Sequence, residues 1–411
     1  MKIRAIVLVA CLVGCGSSAT ARSDTTTAST TSSSTASVTT TAVGSTTTVS
    51  NTTSTTDPAA GVPTWISLPI SGLAGRTGFA YAWADHKMVV WGGMRKAAGT
   101  GIEAADDGAI FDPASQHWTS TPPAPEGVSG LVQAWAWTGT RLVVVAARTP
   151  LEGDSHGAAF DPATGVWSAI APTPLGARDL ATSVWTGSEL LVFGGVFSQT
   201  TATPVAVGYS PAGDSWTTLP SDGALIPQVG VKAVWTGAEV LLVGLRATCP
   251  TASETPCGTF TPAAASYGPA SRRWEQLPDP PVQPSASGAD DEYVSSAVWT
   301  GSRMVASMRG TSDLAVYDPA TRAWARLAAR CNTDRRPVAL ADSSVVQVCA
   351  DGRVWKSADL STWTAVGKGG EAMDRVAAGV VVGDGAVYFW GGRTDGGRTI
   401  DAGLSYSVLI P

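Results

Sequence analysis

The segment that decides the fold reads Trp185-Thr186-Gly187-Ser188-Glu189-Leu190-Leu191-Val192-Phe193-Gly194-Gly195 and, after a loop, Gly208-Tyr209-Ser210-Pro211-Ala212-Gly213-Asp214-Ser215-Trp216. Thr186-Gly187 and Pro211-Ala212-Gly213-Asp214 are turn sequences separating short runs of β-branched, aromatic and aliphatic residues. This alternation predicts a four-stranded antiparallel meander. One such sheet alone leaves apolar faces exposed, so it needs neighbours of its own kind.

Those neighbours are in the sequence. The opening half returns as Trp83-Ala84-Asp85 with Val89-Val90-Trp91-Gly92-Gly93, as Trp137-Thr138-Gly139, as Trp235-Thr236-Gly237 and as Trp299-Thr300-Gly301. Weaker copies run through Val345 to Cys349 and through Val387-Tyr388-Phe389-Trp390-Gly391-Gly392. The closing half returns as Phe111-Asp112-Pro113-Ala114 with Trp118, Phe160-Asp161-Pro162-Ala163 with Trp167, Tyr267 with Trp274, Tyr317-Asp318-Pro319-Ala320 with Trp324, and Trp355 to Asp359 with Trp363. The last copy ends at Leu404-Ser405-Tyr406 without a closing strand. Thr64-Trp65-Ile66-Ser67-Leu68-Pro69, which matches Ser215-Trp216-Thr217-Thr218-Leu219-Pro220, supplies it from the other end. The repeats therefore predict an all-β, seven-bladed β-propeller of four-stranded antiparallel blades, closed by an N-terminal strand.

A double glycine after an apolar strand, an aromatic before a Pro turn and a Trp about six residues later, at a spacing near 50, resemble kelch repeats. The resemblance covers residues 63–411. Only three copies, ending at Gly92-Gly93, Gly194-Gly195 and Gly391-Gly392, keep both glycines. Ser357-Ala358-Asp359-Leu360-Ser361-Thr362-Trp363 is also similar to the Asp-box turn of sialidase-type propellers, one residue short, and reads as a blade turn.

The N-terminus has Lys2 and Arg4, an apolar run from Ala5 to Val13, and then Gly14-Cys15. That run is far short of the roughly 20 residues that cross a bilayer core. Leu12-Val13-Gly14-Cys15 resembles the lipobox of bacterial lipoproteins, which implies a signal peptide over 1–14, lipidation of Cys15, and an extracytoplasmic protein anchored to the bacterial cell membrane. Residues 15–62, nearly all Ser, Thr and Ala, read as a disordered tether reaching on the order of 100 Å when extended. Asn51-Thr52-Thr53 is read as a chance sequon match.

Removing Lys2 and Arg4 leaves 25 basic against 33 acidic side chains, a balance of −8. Such a surface disfavours nucleic acid as a partner. Of the six cysteines, Cys249 with Cys257 and Cys331 with Cys349 is the expected pairing among three possible, since export is oxidising and no His stands at zinc-like spacing. A monomer without cofactor or metal is expected.

Two faces follow from the meander. The Trp-Thr-Gly and Asp-Pro-Ala turns open on one. The long, dissimilar connections, such as 246–265 and 278–292, open on the other, where binding is expected. Arg95, Arg148, Arg246, Arg309 and Arg393 fall near the end of the second strand of their blades. Arg76, Arg178 and Arg375 each stand seven positions before the Trp slot of an inner strand. Together they suggest an anion or polyol site at the channel mouth. The competing reading pairs them with loop carboxylates such as Asp106, Asp107, Asp290, Asp291 and Asp395. The registered tryptophans read as packing between blades, and only Trp135 and Trp355, off the register, suit sugar stacking.

No catalytic set is visible. His86 and His117 belong to the short-turn face and His156 to the other, and no nucleophile triad or phosphate loop is present. Two function classes remain. One is a binding or interaction module for a glycan, peptide or protein, acting through the long-loop face. The other is a carbohydrate-active hydrolase or epimerase with carboxylates at the channel mouth. An enzyme would place two perturbed carboxylates in a concave pocket; a binder would offer Arg and aromatic groups.

Overall fold

The structure, a computed structural model, describes residues 64–97, 101–149, 153–179, 181–197, 206–221, 226–248, 259–282, 294–308, 313–330, 337–339, 343–349, 351–367, 378–392 and 405–409. They lie within the unit Thr56–Pro411. Cys15, Cys249, Cys257 and Cys331 fall outside the described residues, as do Arg309, Arg375 and Arg393.

The described elements are all strands, and seven of their sheets have four strands. The first sheet is Ala80–Ala84, Lys87–Trp91, Gly108–Asp112 and His117–Ser120; the second Leu131–Trp137, Leu142–Ala147, His156–Asp161 and Val166–Ala169; the third Thr182–Trp185, Leu190–Phe193, Ala206–Ser210 and Ser215–Thr218. The fourth is Val229–Trp235, Val240–Thr248, Thr259–Gly268 and Arg273–Leu277, and the fifth Val294–Trp299, Met304–Met308, Asp313–Asp318 and Ala323–Ala328. The sixth is Pro337–Ala339, Val345–Val348, Val354–Ser357 and Thr364–Gly367. In the seventh, Gly379–Gly383, Ala386–Trp390 and Ser405–Leu409 are joined by Ile66–Ser67, with Ile66 opposite Ser407 and Ser67 opposite Tyr406. The strand expected from the N-terminal side is thus the outer strand of the last sheet. This is an all-β, propeller-like architecture.

Turn chemistry sets the meanders. Gly139, Gly187, Gly237 and Gly301 have φ of 94–99°, the left-handed region a tight hairpin needs. Beside them the Thr138, Thr186, Thr236 and Thr300 hydroxyls donate across the turn to the carbonyls of Arg141, Glu189, Glu239 and Arg303. At the opposite pair of strands Asp112, Asp161 and Asp318 each accept the N–H two residues on, at 2.9 Å. These are Asx turns that fold the Asp-Pro-Ala sequences without help from distant residues.

Neighbouring inner strands lie side by side. Ala80–Ala84 touches Leu131–Trp137, and the contacts continue through Thr182–Trp185, Val229–Trp235, Val294–Trp299, Pro337–Ala339 and Gly379–Gly383, which touches Ala80–Ala84. The apolar side chains collect between sheets, in seven clusters that each draw mainly on two neighbours. Each fully buried Val, Leu or Phe there contributes roughly 1.5–3 kcal/mol.

The registered tryptophans do the packing expected of them. Trp118, Trp167, Trp216, Trp274 and Trp324 lie 4.8–5.1 Å from the aromatic of the adjacent strand of their own sheet. Each also donates its indole N–H to a carbonyl outside that sheet, namely Pro69, Pro122, Ala171, Pro220 and Pro278. Trp65 donates to Gly352 and meets Phe389 edge-on at 5.6 Å, which ties the N-terminal strand to the sixth and seventh sheets.

Candidate functional site

Of the eight arginines near the second strands and before the Trp slots, five are described, and two of these, Arg76 and Arg178, are buried. Arg76 is 1% exposed. Its Nε donates to the Ala74 carbonyl at 2.9 Å and its Nη1 to the Gly92 carbonyl at 3.3 Å, while the guanidinium pairs with the Asp107 carboxylate at 2.5 and 3.3 Å. Arg178 is also buried; its Nε donates to Gly176 and its Nη1 to Gly194 at 3.0 Å. Burial pushes its guanidinium down to about 10. Arg95 pairs with Glu103 at 2.8 Å and with Asp107 at 3.4 Å. Arg148 is exposed at the end of its strand. Arg246 is half-buried, and its Nε and Nη2 make no hydrogen bond. Burial alone would raise the Asp107 carboxyl, but the hydrogen bond and charge of Arg76, with the charge of Arg95, hold it below the usual carboxylate range.

The two buried arginines share one job. Each stands 16 residues before the first glycine of a pair and caps that glycine's carbonyl. The strand that carries the arginine, Arg76–Thr77 or Arg178–Asp179, pairs with the residues after the glycines in a small separate sheet. This crossing is tight. A Cβ on Gly93 would lie 2.7 Å from the Thr77 carbonyl oxygen, and one on Gly195 would lie 3.0 Å from Asp179 O and from Arg178 Cδ. In the second sheet the exchange is reversed: Gly130 takes the arginine's place, and a Cβ there would lie 2.4 Å from Ala147 O, where the first and third sheets have the second glycine. The signal was in the sequence, because the three copies with both glycines are those with Arg76, Arg178 and Arg375.

Where the inner strands converge there is a cavity of about 390 Å³. Tyr81 of the first sheet and Trp135 of the second form its aromatic wall, with ring centroids 5.3 Å apart and planes at 51°. Thr182 and Ser183 of the third sheet, and Ser295 and Ser296 of the fifth, add hydroxyls. Lys232 of the fourth adds an ammonium, and Val380 of the seventh an apolar contact. The described residues that line it include no carboxylate.

Local irregularity positions these groups. The inner strands of the second, fourth and fifth sheets each carry an extra residue relative to their partner strands: Gln133, one of Gly230 and Val231, and Ser295. Gly230 has φ 57°. A bulge at this point re-aims the side chains beside it, among them Lys232, Ser295 and Ser296. Trp135 is fixed on three sides. Its indole N–H donates to the Tyr81 carbonyl at 3.0 Å, and the Ser183 hydroxyl accepts from its backbone N–H and donates to its carbonyl, both at 3.0 Å. Of the two off-register tryptophans, Trp135 faces this cavity. Trp355 instead lies in an outer strand pair with the Arg330 guanidinium 5.5 Å over its ring.

The histidines are apart from it. His86 pairs with Asp384 at 2.8 Å across the short turns of the first and seventh sheets, His117 begins the outer strand of the first sheet, and His156 begins the third strand of the second. Among the described residues no group of three or more His, Cys, Asp or Glu is placed to hold a metal. Asp290, Asp291 and Asp395 lie outside the described residues. Cys349 is disulfide-bonded. The Asp359 turn closes on itself: its carboxylate accepts the N–H groups of Thr362 and Ser361, which hold it well below the usual carboxylate range. The chain matches no family model and no curated sequence of a known protein.

Proposed function

We propose that the chain is a lipid-anchored, extracytoplasmic binding module: a kelch-like propeller of seven four-stranded blades over residues 63–411, held by Cys15 and a tether over 15–62, with disulfides Cys249–Cys257 and Cys331–Cys349. The seven sheets, the side-by-side inner strands and the pairing of Ile66 with Ser407 support the closed ring. The ligand is a glycan, peptide or protein segment. The observation that carries this reading is the convergence of Tyr81, Trp135, Thr182, Lys232 and Ser295, from five different sheets, on one cavity.

A convergent set of polar groups beside aromatic faces is what a small-ligand site needs. Thr182, Ser183, Ser295 and Ser296 lie in the first halves of their strands, which follow the long connections. An acid and base pair is not among the described lining groups, so binding is the function this geometry favours over hydrolysis or epimerisation. A glycan and peptide array probed with the full chain tests it. Trp135→Ala should abolish capture while leaving the melting transition cooperative. Retention of the same array signal by Trp135→Ala would move the site elsewhere. Membrane fractionation tests the anchor, since Cys15→Ala should release the protein from the membrane.

A further inference from the structure

We infer that a groove between the second and third sheets, beside their short turns, binds the carboxyl-terminal end of a peptide that finishes in an apolar residue. The terminal carboxylate sits on Arg141 and a peptide N–H on Asp214. The groove is separate from the inner cavity and has a volume of about 540 Å³, within the roughly 300–1,000 Å³ of small-ligand sites. Val143 and Ala159 make its buried floor, Ile170 and Pro211 add apolar flanks, and Arg141 and Asp214 are its charged groups. Comparison with the later junctions shows why it is open. Asp214, Arg272 and Arg322 each hold the last turn position before a fourth strand, with φ of 42–53°. Arg272 and Arg322 reach back over the outer strand of the preceding sheet, to the Thr218 carbonyl at 3.3 Å and to Glu275 at 2.7 Å. Asp214 has a shorter side chain, and its Oδ1 accepts the Ala171 N–H and the Tyr209 hydroxyl, both at 2.8 Å. Ser168 and Ala169 of the preceding outer strand are therefore left exposed. The floor is also lower here. Ala159 stands opposite Val143, where Ile110 stands opposite Val89 and Val316 opposite Val305.

The charged groups are arranged for a ligand with both an acceptor and a donor. Lys87 and Arg303, each just before the second strand of its sheet, pair with Asp112 and Asp318 of the same sheets at 3.5 and 3.4 Å. Arg141 has the same place in the second sheet, yet among the described residues it makes no such pair with Asp161 and lines the groove. The signs are also the reverse of those at the next two junctions, where Glu189 and Glu239 take the place of Arg141, and Arg272 and Arg322 that of Asp214. Burial, then the bond to Asp214, raise the Tyr209 hydroxyl well above its ordinary value, while the nearby charge of Arg141 opposes them. The hydroxyl thus stays protonated and held on Asp214 Oδ1. Asp214 Oδ2 has no hydrogen-bond partner among the described residues and can accept from a ligand. A guanidinium takes a carboxylate through two parallel hydrogen bonds. A chain end brings that carboxylate, an apolar side chain for the floor and an N–H for Asp214 together, and capture of a terminal carboxylate is a recurring mode of peptide recognition. A fatty acid would satisfy Arg141 and the floor but offers Asp214 no donor. A sugar acid would leave the floor unused.

Titration calorimetry of the full chain with acetyl-Ala-Ala-Leu, the same peptide as its carboxyl-terminal amide, and octanoate decides the matter. The free acid should bind at least about tenfold more tightly than the amide, the worth of one hydrogen bond to a charged group. Arg141→Gln should erase that difference, and Arg141→Lys should keep part of it. Ala159→Ile, which puts the first sheet's side chain on the floor, should weaken both peptides. Arg141 is exposed, so its variants should melt as the native chain does, and the thermal transition of Ala159→Ile reports whether that variant has folded. Trp135→Ala should bind the free acid unchanged, which separates this groove from the inner cavity. Equal binding of acid and amide, a preference that survives Arg141→Gln, or octanoate bound as tightly as the free acid overturns the inference. Loss of the free acid in Trp135→Ala with retention in Arg141→Gln overturns it too, and so does a full chain that does not bind the free acid at all.

Discussion

The outer strands and the inner strands of these sheets obey different rules. On the outside one arrangement is repeated five times, a Trp packed at a tilt against the aromatic ring of the adjacent strand with its indole N–H on a carbonyl beyond the sheet. On the inside, two positions before the Trp slot, the corresponding residues are Tyr81, Trp135, Ser183, Ala233 and Ala297, no two neighbouring ones alike until the last pair. Repetition marks a task common to every sheet, which is adhesion to the next. Variation at a single structural slot marks a task that belongs to the inner strands together, and the cavity is found there.

That contrast can be broken at the outside first. Trp274→Ala removes a buried indole from the contact between the third and fourth sheets and should cost about 3–5 kcal/mol in denaturant unfolding. A loss below 1 kcal/mol, by the same scale, would mean that the outer tryptophans are decoration. A smaller effect is expected at the crossing of strands. Gly93→Ala places a Cβ against the Thr77 carbonyl at φ 98° and should destabilise by about 1–3 kcal/mol. The same change at Gly72, where a Cβ would meet nothing within 4 Å, is the control.

The smallest effect belongs to the exposed His86–Asp384 pair. Its hydrogen bond to Asp384, then the charge of that carboxylate, raise the imidazole above the ordinary histidine value. A raised folded value means the stabilisation is complete below the unfolded value and disappears as pH rises through the folded one. The stability difference between the native chain and His86→Gln should therefore be measurable in mild acid and absent in mild alkali. In an NMR titration Asp384→Asn should bring the His86 midpoint down. An unmoved midpoint would show that the pair does not form in solution.

The sequence announces what local chemistry fixes. Thr-Gly and Asp-Pro-Ala turns are read directly because their hydrogen bonds span two or three residues. The outer strand at Ile66–Ser67 was legible too, since its sequence copies that around Trp216. The burial of Arg76 and Arg178 was not legible, for a different reason. Their partners are 16 and 31 residues away, so the spacing alone suggested a mouth where the structure has a buried brace for Arg76 and Arg178. The cavity was hardest to foresee. Its lining comes from six sheets and depends on bulges, and a single extra residue such as Ser295 changes which side chains face inward. Of its groups only Trp135 broke a repeating register and so stood out.

The partnership of Ile66 and Ser67 with Ser407 and Tyr406 has a bearing on biogenesis. These residues leave the ribosome some 340 positions apart, so Ile66–Ser67 has no mate until Ser405–Leu409 is made. Such long-range closure is slow to form because so much chain entropy is lost at once. A polypeptide stopped before Ser405 would lack the strand between Ala386–Trp390 and Ile66–Ser67 and present a bare strand edge there, a template for aggregation. Synthesis of Ser405–Leu409 is thus the event that gives Ile66–Ser67 its mate.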